Sequence, residues 1–233
     1  MSHDLDESTG KPAMAYVGER PWHGLGEALP PDQDIETWVQ AARLDWEIEM
    51  LPVNYQMGGR NHVMRDRFVL ARSDTQAALS VVSGDYRVVQ PKEVLEFYRD
   101  LVEERQYQLE TAGALDGGRK VWALARTGLV AGVAGNAADQ LGAYVLLATS
   151  CDKSLATTIA FTSVRVVCQN TLSFAVHEVK KESRRSIKVN HSRRFDADQI
   201  KKDLGLMDES WEKFKLQLTP MAGKAMSDSA AEE

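Results

Sequence analysis

The stretch YQLETAGALDGGRKVWALAR, residues 107–126, decides the fold class. Two extended runs, 107–115 and 119–126, flank Asp116-Gly117-Gly118. A Gly-rich turn between apolar runs signals a β-hairpin, because tight hairpin turns need residues that tolerate positive φ. Downstream, 143–149 and 156–167 form a second pair, joined by the polar turn Ser150-Cys151-Asp152-Lys153-Ser154. Upstream, 47–55 and 66–72 read as strands with Gly58-Gly59-Arg60-Asn61 between them. Residues 86–89 read as a further short strand, and the small-residue stretch 128–142 as a loop.

Helical patterns surround this β-rich middle. Asp34 is placed to cap a helix through about residue 44, with Ile35, Trp38, Val39 and Ala42 at three- and four-residue steps. Pro91 opens another through about 105, with Val94, Leu95, Tyr98, Leu101 and Val102 on one face. Asn170, Leu172, Phe174 and Val176 form a helix that follows directly on a strand, and residues 186–191 are a strand or an extended arm. Asp196 caps a helix toward 204, and a further helix covers 208–218. The pattern predicts an α+β fold: mostly antiparallel β-hairpins forming a sheet, with helices packed on one face. Residues 1–13 are expected to be a disordered leader, 14–221 a single α+β domain and 222–233 a flexible tail.

The chain has 233 residues, 43% hydrophobic and 27% charged, which excludes a wholly disordered protein. No apolar run approaches the roughly 18 residues needed to cross a bilayer. The N-terminus is acidic and lacks the apolar core of a secretory signal, so no membrane is expected and the reading is cytoplasmic. Two cysteines, Cys151 and Cys168, form no disulfide framework. The net charge of −6 hides a segregation. Residues 1–50 hold eleven acids against three bases. Residues 180–194 hold Lys180, Lys181, Arg184, Arg185, Lys188, Arg193 and Arg194 against the single acid Glu182. A pI near 5.5 argues against a protein that coats nucleic acid with its whole surface, but phosphate contacts need only a few aligned cations. Such a run is equally the composition of a solvated, salt-bridged face.

Catalytic patterns do not emerge. Cys168 sits at a strand-to-helix junction and would need a base such as His177 or His191, yet its neighbours Val166, Val167 and Leu172 are apolar, as around a core cysteine. The five histidines show no metal-ligand spacing, and neither Gly24-Leu25-Gly26 nor Gly10-Lys11 has a phosphate-loop frame, so no metal and no cofactor is expected. Trp22 and His23, in a Gly/Pro loop, either bind a ligand or anchor the loop. Arg165 and the Gln169-Asn170-Thr171 cluster at a helix start either meet an anion, or cap the helix while Arg165 pairs with a carboxylate.

Pro21-Trp-His-Gly-Leu-Gly26, Arg165-Val-Val-Cys-Gln-Asn-Thr-Leu172 and Asn190-His191 together resemble a family of uncharacterised phage- and plasmid-encoded proteins, the phage/plasmid-like proteins, over roughly residues 14–221. The family carries no catalytic residues to transfer. The resemblance implies a mobile-element protein acting inside a bacterium on DNA. In architecture the chain is also similar to phage single-strand annealing proteins. That implies a homo-oligomer whose subunits join modest basic strips into one phosphate track. On this expectation Lys180, Lys181, Arg184, Arg185, Lys188, Arg193 and Arg194 contact single-stranded DNA, and Arg165 supports them. Phe174 and Phe195 are the aromatics available for stacking in that region. The alternative is an accessory or inhibitor that binds a host or phage protein through its acidic face. A third reading is a cysteine-dependent enzyme.

Overall fold

The structure is a computed structural model that describes residues 3–105, 107–132, 140–181 and 186–206. Its order is β1 (Met14–Tyr16), β2 (Glu27–Ala28), α1 (Ile35–Ala41), β3 (Ile48–Met57), β4 (Arg60–Arg72), β5 (Ala78–Ser83), α2 (Pro91–Glu96), α3 (Arg99–Arg105), β6 (Gln108–Leu115), β7 (Lys120–Gly132), β8 (Gln140–Ser150), β9 (Thr157–Thr162), α4 (Gln169–Lys181), β10 (Ser186–Val189) and α5 (Ala197–Asp203). A seven-stranded sheet runs β10-β9-β8-β7-β6-β1-β2, and a three-stranded sheet runs β3-β4-β5. All pairings are antiparallel except β1 with β2. The fold is α+β.

Side-chain alternation along the large sheet builds two cores. Val121, Ala123, Ala125, Val145 and Leu147 join Trp38, Trp46, Val94, Tyr98, Leu101 and Ile200 on one face. Trp122, Leu124, Leu146 and Ala148 join Leu5, Met14, Tyr16, Cys168, Leu172 and Ala175 on the other. The expectation of helices on one face is thereby corrected: α1, α2, α3 and α5 cover one side, α4 the opposite one. The centre of the sheet is apolar on both strand faces, and such strands need cover on both sides. At Gly113, a Cβ would lie 2.4 Å from the Ala13 carbonyl and 2.6 Å from the Trp122 ring, so the absent side chain lets β1 and Trp122 close on β6.

Local signals set the element ends. The Asp34 carboxylate accepts from the Thr37 N–H (2.7 Å) and that of Asp196 from Gln199 N–H (3.0 Å). Pro91 opens α2, and the Glu93 carboxylate accepts from the Gln90 N–H. The single expected helix from 91 to 105 is two, broken at Phe97-Tyr98. Both rings are buried there, at 85° to each other, and the Tyr98 hydroxyl donates into the sheet to the Ala123 carbonyl (2.8 Å). The break turns two consecutive rings inward, which an unbroken helix resists. Residues 86–89 are not a strand; Tyr86 instead donates its hydroxyl to the Ser150 carbonyl (2.9 Å). The region 128–142, expected as a loop, carries the ends of β7 and β8.

The leader is also corrected over its described part. Leu5 is buried and bridges Leu115, and Asp6 pairs with the buried Arg72. Arg72 also bonds Asp74 through both carboxylate oxygens (2.9 and 2.8 Å) and lies 4.1 Å over the Trp46 ring. Residues 3–13 are docked because a buried guanidinium requires a counter-charge. The expected helix at 208–218 and the tail at 222–233 lie outside the described residues.

The three-stranded sheet ends in a projection. Gly58 (φ 58°) and Gly59 (φ 73°) make the two-residue turn of a hairpin whose strands run from 48 to 72. β5 pairs with β4 from Arg67 to Ala71, so beyond Arg67 the hairpin is a bare two-stranded ribbon. Tyr55, Met57, Val63 and Met64 are exposed on it.

Candidate nucleic-acid interface

The two most distinctive sequence segments prove to be one packed unit. In the His23 ring, Nδ1 accepts from the Leu25 N–H (3.1 Å), which leaves the proton on Nε2 to donate to the Val167 carbonyl (3.0 Å). The Thr111 hydroxyl donates to the Val166 carbonyl (2.6 Å). Thr171 accepts at its hydroxyl from the Val167 and Cys168 N–H groups (2.9 and 3.0 Å) and fixes the turn into α4. The Gln169 N–H, at the helix start, is taken by the His3 carbonyl (3.2 Å), while its side-chain oxygen accepts from Lys120 (3.1 Å). The Pro21–Gly26 loop therefore anchors the start of α4, and leaves Trp22 61% exposed above it.

Arg165 lies in the same unit. Its Nε donates to Glu110 (2.7 Å) and one Nη to the Val17 carbonyl (3.1 Å). Glu110 also accepts from Arg126 (2.9 Å), so one carboxylate, 7% exposed, holds two arginines. Burial pushes the adjacent Tyr144 hydroxyl up, reinforced by the Glu110 charge. Of the two readings left open for Arg165, the structure has the carboxylate pairing. Cys168 is buried, with the Thr171 hydroxyl 3.4 Å from its sulfur. His177 is exposed on α4, and both ring nitrogens of His191 face backbone carbonyls, so neither is set beside that sulfur.

The cationic segment divides. Lys180 and Lys181 end α4, and their side chains lie outside the described ones; Arg184 and Arg185 lie outside the described residues. Lys188, on β10 opposite Thr158, is exposed, as are Arg193 and Arg194. This stretch is held by His191. Its ring stacks on Tyr86 (4.7 Å, 15°), its Nδ1 and Nε2 lie 3.2 Å from the Arg87 and Leu155 carbonyls, and its own carbonyl accepts from the Arg87 N–H (2.6 Å). Phe195 packs near Phe97 (6.2 Å), whereas Phe174 is exposed on α4.

Elsewhere arginines meet acids: Arg72 with Asp6 and Asp74, Arg99 with Glu36 and Glu96, Arg119 with Asp116. The cations that belong to no ion pair among the described residues include Arg60, Arg65, Arg87, Lys188, Arg193 and Arg194, along with Lys11, Arg20, Arg43, Lys120, Lys153 and Lys202. Arg60, Arg65 and Arg87 escape a reading based on local charge density, because they are scattered along the sequence. Among the described residues no group of His, Cys, Asp and Glu is arranged to hold a metal ion, and no helix is long and apolar enough to cross a membrane.

Comparison with curated proteins and with solved structures finds no match. The region 78–233, from the start of β5 through the α4 junction and the cationic segment, matches a family model. That match spans more than half of the sequence, and the chain belongs to the family described as Domain of unknown function (DUF932).

Proposed function

We propose that this chain is a nucleic-acid-binding protein of a phage or plasmid, working in the cytoplasm of a bacterial host. In this reading it holds single-stranded DNA on a basic strip that neighbouring subunits of a homo-oligomer extend. The supporting observation is the set of exposed, unpaired cations at Lys188, Arg193 and Arg194, carried by a segment that His191 pins to the core. A polyanion is the complementary partner for fixed cations without carboxylates. Lys180, Lys181, Arg184 and Arg185 belong to the same sequence run. Arg165 takes a supporting part, since Glu110 and the Val17 carbonyl already occupy its guanidinium. The alternative is an accessory protein that binds a partner through its acidic face; of that acidity, Asp6 and Glu36 are in ion pairs and Asp34 caps α1.

The test is fluorescence anisotropy of a labelled 40-nucleotide strand over a salt series, with subunit number read by light scattering. Each phosphate contact on a single strand contributes a slope of about −0.7 in log K against log salt. Arg193→Glu/Arg194→Glu should therefore flatten the slope by about 1.4. A slope equal to that of the wild type, or a wild-type protein that stays unbound at low salt, refutes the proposal.

A further inference from the structure

The ribbon of β3 and β4 carries four exposed large hydrophobic side chains, Tyr55, Met57, Val63 and Met64. The register Val53↔Met64, Tyr55↔His62 and Met57↔Arg60 puts these six side chains on one face, while Asn54, Val63, Gln56 and Asn61 occupy the other. On the first face the Tyr55 and His62 rings are stacked, 5.1 Å apart and 19° from parallel, with Tyr55 47% exposed. Between residues 50 and 67 the one acid is Asp66, and it is paired with Arg67 (3.4 Å). The charge the ribbon offers to a partner is thus carried by Arg60 and Arg65. A lone two-stranded ribbon with exposed apolar side chains is marginal in water, so a bound partner is what such a surface is suited to.

The base of the ribbon is joined to the cationic segment by a short stretch of chain: Arg67 pairs with Ser83 at the end of β5, four residues before Arg87. Arg87 is in turn bonded through its backbone to His191.

We infer that the β3–β4 ribbon is the base-contacting element for a single strand of nucleic acid: a base stacks on the Tyr55–His62 pair while Arg60 and Arg65 take flanking phosphates. Sequence-independent single-strand binders combine these two elements, a π-face for the bases and a cationic path for the backbone. Met57, at the tip, is an apolar side chain of the kind that wedges between bases. The inference rests on the nucleic-acid reading above and names the part of the protein that meets the bases.

The experiment uses the full chain and a labelled 40-mer of thymidine. Tyr55→Ala/His62→Ala should weaken binding about five- to a hundredfold at fixed salt, with the salt slope unchanged. Arg60→Gln/Arg65→Gln should flatten the slope by about 1.4, and Tyr55→Phe should bind like the wild type. These side chains lie outside both cores, so the thermal midpoint of each variant should match the wild type. If Arg193→Glu/Arg194→Glu loses binding while the ribbon variants bind normally, the inference fails and the nucleic-acid reading stands. If the ribbon variants bind DNA normally but change the subunit number, the ribbon is a protein interface and the inference fails. If the wild type does not bind at low salt, both fall together.

Discussion

Replacing Arg72 with methionine removes the cation on which the docked leader depends. The Arg72 and Asp6 side chains are 1% and 2% exposed, and Arg72 also serves Asp74 and the Gly117 carbonyl (3.2 Å). Methionine keeps much of the volume over Trp46 but leaves the Asp6 carboxylate buried without a counter-ion. Breaking a buried ion pair from one side costs about 3–5 kcal/mol. For a chain of this size each kcal/mol moves the thermal midpoint by about 2–4 °C, giving a fall of about 6–20 °C. The double variant Asp6→Asn/Arg72→Met should lose less than Arg72→Met, because the stranded charge is gone. Calorimetry and urea denaturation of both variants supply the measurement, with limited proteolysis reporting release of residues 3–13. A loss under about 1 kcal/mol for Arg72→Met, or a double variant weaker than the single one, would refute the reasoning.

Burial pushes the Cys151 thiol up to about 12, and Cys168 is equally enclosed, at 1% exposure. Neither should react with a thiol reagent near neutral pH until the protein unfolds; rapid labelling of Cys168 in the native state would restore the cysteine-dependent reading. For Asp74, burial alone would raise the carboxyl, but hydrogen bonds from Arg72 and the Thr75 N–H outweigh it and hold it below its ordinary 3.8. A group depressed in the folded state stabilises above its unfolded value and loses that contribution as pH falls through its folded one. Urea midpoints should accordingly hold steady down to about pH 5 and decline below about pH 4, less steeply in Arg72→Met, and a midpoint that rises on acidification contradicts this.

The strands of the large sheet were legible because they are local: alternation over 107–126 and the Asp116-Gly117-Gly118 turn carry their own geometry. Helix starts were legible for the same reason, at Asp34, Pro91 and Asp196. What escaped was decided by distant partners. Asp6 reads as leader acidity until Arg72, 66 residues on, folds against it. Arg165 stays ambiguous in sequence because Glu110 is 55 residues away. Gly128 and its small neighbours resemble a loop by composition, and Gly128 (φ 73°) lies where the β7–β8 register shifts, yet β7 continues past it and pairs again with β8 from Val130. The hairpin turn at Gly58-Gly59 was readable. Its projection was not, because exposure depends on where β5 stops pairing.

The family region opens at residue 78, so β1, β2, α1, β3 and β4 all precede it. Yet β1 pairs with β6 inside that region, β4 pairs with β5, and Trp38 and Trp46 fill its core. A polypeptide cut at residue 78 would bare the edge of β6 and strip β5 of its neighbour, and such open edges template aggregation. Residues 3–77 thus act as a built-in donor: they lend two strands to each of two sheets, β1 and β2 to one and β3 and β4 to the other, a covalent form of strand complementation. The same dependence makes rescue in trans possible, with the first 77 residues supplied separately to solubilise the remainder.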